Sequence, residues 1–406
     1  MRNVILFDGE CRDHLLPLTF TRPVCELRAG ILTIREKWER WMTAEVSYMT
    51  QDYLSAKYPL RIAEDNYIIN GALLPNSTIC QLILELDVNE ALLHEGELLA
   101  VRLDAERAER LLGDEDIPKF DTLQVGDLPF KMVRRPWDLF TDNNAQIEND
   151  FKLVCEGRTS APLDESNRVI GDASRIFVEA GVKMSCCILN VTDAYMYFGK
   201  DVEVMEGAMI RGSLAMCEGS SVKMGSKIYG ATTVGPYCRV GGEVTNSVLM
   251  GYSNKGHEGY LGNSVLGEWC NIGADTNTSN LKNTYDEVRM WDYTKQSFTP
   301  SGQTFLGLVM GDHSKTGINV MFNTGTVVGV SANIFGEGYP RNYIPSFAWG
   351  GASGLISYNL NKALLVAERV MARRNVVLSD VDREILVAVH KITAPYRGWE
   401  KKEPVV

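Results

Sequence analysis

The chain has 406 residues, 45% of them hydrophobic, and a net charge of −11. That length suits two or three domains, and the acidic balance excludes a broad nucleic-acid surface while leaving room for a local basic pocket. No apolar run is long enough to cross a bilayer, and nine cysteines without a CxxC pair (Cys186 and Cys187 are adjacent) argue for a reduced, cytoplasmic setting rather than a disulfide scaffold.

Residues 1–8 have too short an apolar part for a secretory signal, and residues 4–7 read as a buried first strand. A Pro/Thr/Arg-rich loop covers residues 9–28. Ile31, Ile34, Trp38 and Trp41 then fall at helical spacing, which predicts a helix over 30–41. Apolar runs at 67–69 and 98–101 alternate with turns or helices, and the charged stretch 103–118 reads as a solvated helix and loop. Residues 1–150 therefore form an α/β domain. The polar stretch 145–165, with Pro162, connects it to a second domain.

From residue 198 the pattern changes. Phe198, Val204, Ile210, Met216, Val222, Ile228, Val234 and Val240 are apolar at every sixth position. Six is the period of neither a helix nor an alternating strand, and hexapeptide repeats are a signature of parallel β-helices. Three hexapeptides make one triangular coil, which buries one apolar side chain per side. Upstream the ladder reads Ile170, Ile176, Val182 and Ile188. Downstream it reads Tyr260, Leu266 and Ile272, then Met310, Thr316, Phe322, Val328 and Ile334. The phase shifts predict loops that leave the coil, the longest an extended excursion over 283–305 ending in the turn Pro300-Ser301-Gly302. The β-helix is expected over 166–340. Helical patterning comes next at 359–375 and 380–392, with Asn359 and Ser379 or Asp380 as caps. This helical segment, 355–406, would cover the unpaired edge of the last coil.

The loop Gly256-His257-Glu258-Gly259-Tyr260-Leu261-Gly262 leaves the ladder. Its only group titrating near neutral pH is His257. A histidine between coils could take the proton of an attacking amine or hydroxyl, and backbone N–H groups could meet the developing oxyanion. Taken alone, such a histidine is more often structural. After it come Asn271-Ile272-Gly273-Ala274-Asp275-Thr276 and then Asn280. Together these motifs resemble the acetyltransferase half of the bifunctional N-acetylglucosamine-1-phosphate uridyltransferase/glucosamine-1-phosphate acetyltransferase family of bacteria. That family has Gly-His-x-x-Tyr-Leu-Gly, then Asn-Ile-Gly-Ala-Gly-Thr, then Asn-Tyr.

The resemblance implies a left-handed parallel β-helix that assembles as a homotrimer, with acyl sites between coils of different subunits and acetyl-CoA as donor. It implies that His257 is the general base, that Tyr260 and Asn271 hold the sugar, and that Asn280 lies near the thioester. The family's phosphate-binding basic residues are replaced here by Thr245 and Asn246, and its later lysine by Phe305. Arg239 or Lys255 would substitute, with Lys315 a further candidate. His313 is a second candidate base, although its place in the ladder points to a coil-surface or trimer contact.

The first loop contains Gly9, Arg12, Pro17-Leu18-Thr19, Arg22-Pro23 and Arg28. It resembles the sugar-phosphate nucleotidyltransferase signature, a strand leading into Gly-x-Gly-Thr-Arg-x-x-Pro-Leu-Thr-x-x-x-Pro-Lys, which wraps NTP phosphates. Here the second Gly is Arg12, the Arg is His14 and the Lys is Val24. Nucleotide binding is expected at Arg12, Thr19, Arg22 and Arg28, with residues 135–139 closing the site. Asn70-Gly71-Ala72 stands at the family's Gly-Asp metal motif without its carboxylate. No metal ligand is assigned, and Mg²⁺ enters only if this domain is active.

The leading expectation is a transferase of nucleotide-sugar biosynthesis. It would act on sugar phosphates and nucleotides, with neither nucleic acid nor membrane as partner. Two alternatives stand. One is a sugar-1-phosphate nucleotidyltransferase whose β-helix is oligomerising or regulatory. The other is a degenerate first domain that binds a nucleotide-sugar. The sequence names neither the sugar phosphate, the NTP nor the acyl group.

Overall fold

The computed structural model describes residues 2–112, 120–126 and 128–400, so residues 113–118 of the expected charged loop lie outside them. The chain divides into two compact units. The first comprises Met1–Leu15, Arg22–Leu27 and Leu32–Arg135; the second comprises Leu16–Thr21, Arg28–Ile31 and Pro136–Val406. No helix among the described residues is long and apolar enough to cross a membrane.

The first unit is built on a six-stranded mixed sheet. Its order is Ala44–Met49, Arg2–Phe7, Asp65–Asn70, Glu97–Asp104, Glu90–His94, Asp121–Gln124. The strand Arg2–Phe7 is central and pairs in parallel with both neighbours, which is why residues 4–6 are fully apolar and buried. The predicted helix forms as Ile34–Met42, starting four residues later than expected. Thr33 and Glu36 make a reciprocal capping box that fixes this start, and the Trp38 indole anchors the helix by donating to the Leu73 carbonyl at 2.9 Å. The solvated helix is present as Ala105–Leu112.

The segment Arg28–Ile31 is drawn into the second unit. The Gly30 N–H donates to Asn143 Oδ1 at 3.1 Å and the Ile31 N–H to Asp150 Oδ2 at 2.8 Å, both acceptors lying on the helix Asn143–Cys155. The Thr233 hydroxyl closes the arrangement by donating to the Gly30 carbonyl at 3.0 Å.

The second unit is a parallel β-helix capped by helices, as the six-residue period predicts. Its longest face is a nine-stranded parallel sheet. The ladder from Phe198 to Val240 is buried without exception, each side chain 0–2% exposed. Upstream the phase is displaced. Ile170 and Ile188 point outward, 43% and 41% exposed, and the interior positions belong to Val169 and the fully buried Leu189. Likewise Leu261, not Tyr260, faces inward. A one-residue slip turns every side chain of a strand to the other face, so counting in sixes fails wherever a corner gains or loses a residue. Tight corners also demand glycine where coils touch. A Cβ on Gly235 would run into the Met250 carbonyl.

One corner is built differently. Tyr237, Tyr252, Trp269 and His313 all have positive φ, between 53° and 61°, and their rings form a column. Successive centroids lie 5.1, 4.1 and 6.2 Å apart, with interplanar angles of 19°, 11° and 12°.

The excursion contains an antiparallel hairpin, Arg289–Asp292 with Ser297–Pro300. The final coil strand Ala348–Gly351 is covered by an antiparallel return, Gly354–Ser357, which supplies the edge protection expected of the terminal helices. Those helices run Leu360–Ala372 and Asp380–Ile392, capped by Asn359 and Ser379. They dock on the last coils through the Phe347–His390 ring contact at 4.9 Å and the buried Arg397.

Candidate functional site

His257 sits at the corner between the strands Asn254–Lys255 and Tyr260–Gly262, with its side chain exposed. The sequence candidates divide about this corner. On the preceding side, Arg239, Asn254, Asn271 and Lys315 occupy successive coils of one face, in register. The Asn254 amide donates to Asn271 Oδ1 at 3.1 Å, which fixes the Asn271 amide group. Arg239 is exposed on the same face. On the other side, Asn280 Nδ2 donates to the Tyr260 hydroxyl at 3.0 Å and to Asn263 Oδ1 at 2.8 Å. Burial raises the Tyr260 phenol above its ordinary pKa, with the Asn280 bond opposing.

Lys255 is placed elsewhere. It pairs with Val240 and is 1% exposed, so it fills an interior ladder position instead of meeting a phosphate from solvent. Its ammonium donates to the Gly241 carbonyl at 2.9 Å and the His257 carbonyl at 2.6 Å, and burial lowers its pKa to about 8. Lys315 lies on the outward row, with Thr316 taking the interior position; it donates to the His313 carbonyl at 2.7 Å, and burial lowers its pKa to about 8. His313 belongs to the aromatic column, a structural setting.

Sequence reasoning passed over a supporting set of asparagines. Asn254 orients Asn271, Asn263 orients Asn280, and Asn277 accepts the Tyr260 N–H at 2.9 Å, each pair separated by 17 residues. That recurrence, one coil shortened by a residue, is the signal that would have found them.

In the first unit a cleft of about 620 Å³ opens at the carboxyl ends of the strands Arg2–Phe7 and Asp65–Asn70, the usual ligand position in such sheets. Gly9, His14, Asn70, Glu97 and Arg135 line it. His14 Nδ1 and Arg135 are 2.6 Å apart, so Arg135 is where the sequence expected a closing residue. The four expected nucleotide-binding residues do not gather here. Thr19 and Arg28 belong to the second unit, and Arg28 donates to the Ile31 carbonyl at 2.5 Å. Arg12 and Arg22 belong to the first unit but are 7% and 5% exposed. Arg12 is engaged by Asp13 at 2.9 Å and the Tyr53 hydroxyl at 2.8 Å.

The cleft lacks the carboxylate of the family's Gly-Asp motif, although Glu10, Glu95 and Glu97 line it. Mg²⁺ is held by one or two carboxylates together with substrate phosphates. At the expected position Asn70 offers an amide whose Oδ1 already accepts the Ala72 N–H at 3.0 Å, and Glu97 is paired to Arg134 at 2.6 Å. Among the described residues no three His, Cys, Asp or Glu side chains converge as metal ligands.

The chain thus joins an α/β sheet with its cleft at a parallel strand end to a hexapeptide β-helix with a Gly-His corner. Residues 4–159 match the family model of sugar nucleotidyl transferases. The chain is similar to the bifunctional protein GlmU of Methanococcus aeolicus, 26% identical over 58% of this chain and 47% of that protein. It is 34% identical to the bifunctional protein GlmU of Methanocaldococcus jannaschii over 31% of this chain and 26% of the relative. A bifunctional sugar-1-phosphate nucleotidylyltransferase/acetyltransferase of Sulfurisphaera tokodaii is 39% identical over 23% of each chain. The chain thus spans less than half the length of these relatives.

Proposed function

We propose that the protein is a transferase of nucleotide-sugar biosynthesis whose β-helix carries out acetyl-CoA-dependent N-acetyl transfer to an amino-sugar phosphate. The observation that carries this reading is the Tyr260–Asn280–Asn263 hydrogen-bond chain, in which Asn280 of the next coil ties together two residues of the strand and turn that follow the exposed His257. The acceptor nitrogen attacks the thioester carbonyl as a His257 ring nitrogen takes its proton. The tetrahedral intermediate then collapses, the C–S bond breaks, and the thiolate leaves to be protonated. Asn280, fixed by two hydrogen bonds, meets the thioester; Tyr260, Asn271 and exposed Arg239 hold the sugar and its phosphate.

The face leading to Tyr260 supports a homotrimer. Ile188, Met209, Lys227, Glu243 and Tyr260 lie in one register row, with Met209 54% exposed and Ile170 beside the row at 43%. The exposed apolar end of this row, Ile188 and Met209 with Ile170 beside them, asks for a partner surface, and the Lys227–Glu243 pair links it to Tyr260, where the acyl site would be completed. The reduced cysteines suit a cytoplasmic setting.

For the first unit a second reading is favoured by Asn70 and the buried arginines: it holds a nucleotide-sugar without making one. The deciding experiment is mass spectrometry of products after incubation with acetyl-CoA, amino-sugar phosphates and each NTP with Mg²⁺, on wild type and His257→Ala. General-base help is worth about 10²–10⁴ in rate, and a loss of acetylated product on that scale is expected. Wild-type acetylation by His257→Ala from pH 6 to 9 would remove the proposed base.

A further inference from the structure

The excursion after Asn280 builds a second site. The chain leaves the coil at Leu281 and rejoins it at Phe305, where the two residues bridge. The hairpin between them walls a pocket of about 630 Å³. One part of the lining is cationic, with Lys282, Arg289 and Arg341; the other is aromatic, with Trp291, Phe298 and Tyr343. No carboxylate lines it.

The cations are not neutralised. Lys282 donates to the Glu287 carbonyl at 2.6 Å and Arg289 to the Phe298 carbonyl, both uncharged acceptors. Arg341 is exposed and makes no ion pair among the described residues. In a chain of net charge −11, three uncompensated cations around one cavity make a local positive field that concentrates anions. The aromatic wall is rigid. Trp291 stacks on Tyr343 at 4.1 Å and 8°, and Phe298 meets Trp291 edge-on at 5.5 Å. Trp291 Nε1 is buried with no hydrogen-bond acceptor. A buried donor left unpaired is costly, and a ligand acceptor would relieve it.

We infer that this pocket binds a nucleoside diphosphate. Lys282, Arg289 and Arg341 grip the phosphates, the base lies against the aromatic wall, and the Trp291 N–H gains an acceptor. Simple anions would use the cations and leave the wall idle; a neutral sugar would stack on the wall and leave the cations idle. The site shares no side chain with the groups assigned to acyl transfer.

Titration calorimetry of the full chain without acyl donor tests it, with UDP, ADP, GDP, pyrophosphate and CoA as ligands. The expected result is binding of at least one nucleoside diphosphate that weakens tenfold or more in R289Q/R341Q, both exposed positions, with an unchanged melting temperature. W291L should weaken the same event while pyrophosphate binding stays as it was. Three outcomes would overturn the inference: nucleoside diphosphate affinity equal in wild type and R289Q/R341Q, pyrophosphate binding as tightly as every nucleotide, or CoA affinity falling in R289Q/R341Q as far as that of every nucleoside diphosphate, which would make the pocket part of the donor's site.

Discussion

The ammonium of Lys255 lies 2.6 Å from the carbonyl oxygen of His257, inside the β-helix, at a position where neighbouring coils carry valine and isoleucine. A lysine in an apolar ladder costs desolvation, yet this one ties the backbone of the His257 corner to the coil through two carbonyls. It is a clamp for the loop. Lys315 makes a single bond of this kind, to the His313 carbonyl, from the outward row.

That clamp has a pH signature. Burial depresses the Lys255 amine to about 8, against roughly 10.4 for an unperturbed lysine. Between those values the unfolded chain binds more protons than the folded one, so stability rises with pH through this window. The penalty is fully present below pH 8 and relieved by about pH 10.4. Lys255→Met removes it, so the melting temperature of the variant minus that of wild type should fall steadily from pH 7 to pH 10. Lys315 titrates similarly in both chains and cancels. A difference independent of pH would mean that Lys255 does not titrate in the coil.

At the other side of the corner, the Asn280 amide should matter to rate more than to stability. Asn280→Ala removes two hydrogen bonds with a net worth of about 1 kcal/mol each. None of the three groups is fully buried, so the loss in melting should be small. The acetyl-transfer rate should fall by roughly tenfold or more, since about 1.4 kcal/mol of barrier is tenfold in rate. Tyr260→Phe should show a smaller loss of the same kind. Steady-state kinetics in which Asn280→Ala equals wild type would detach this chain from catalysis.

How far the sequence reaches is shown by particular residues. The period of six names the interior side chains from Phe198 to Val240 correctly because each corner there has the same length. It misses Leu189 and Leu261 because a corner is one residue short before Leu189 and after Leu261, and period alone cannot see that. His257, Tyr260, Asn271 and Asn280 are named by their motif, not by the period. Lys255 misleads, because a cationic residue is read as exposed when only the register with Val240 shows it is inside. In the first unit Thr19 and Arg28 are read from a phosphate-loop pattern, but the chain uses these segments to pack in the second unit, a tertiary use with no local signature.

Assembly is testable at Met209, which is 54% exposed in the same register row as Tyr260. Met209→Asp puts a charge into the proposed subunit contact without touching the ladder, where Ile210 is the interior neighbour. Light scattering should give a trimer for wild type and smaller species for the variant, with acetyl transfer lost in parallel. A wild-type monomer with full activity at micromolar concentration would defeat the trimer and the shared site together.

The aromatic corner column makes the last prediction. Trp269 has φ of 61° and is 6% exposed, stacked on Tyr252 at 4.1 Å. For a residue with a Cβ the left-handed conformation costs roughly 1–2 kcal/mol, which glycine escapes. Stacking and burial of the indole offset that cost in the native chain, and truncating a buried large aromatic typically costs about 3–5 kcal/mol. Both Trp269→Ala and Trp269→Gly forfeit the ring. Only alanine keeps the strained corner, so Trp269→Gly should be the more stable of the two by about 1 kcal/mol, the reverse of their order in a helix or strand. His313→Ala, at the 6.2 Å end of the column, should cost less than either. Denaturant unfolding of the three variants checks the ranking; alanine outlasting glycine at position 269 would show that the corner is not strained.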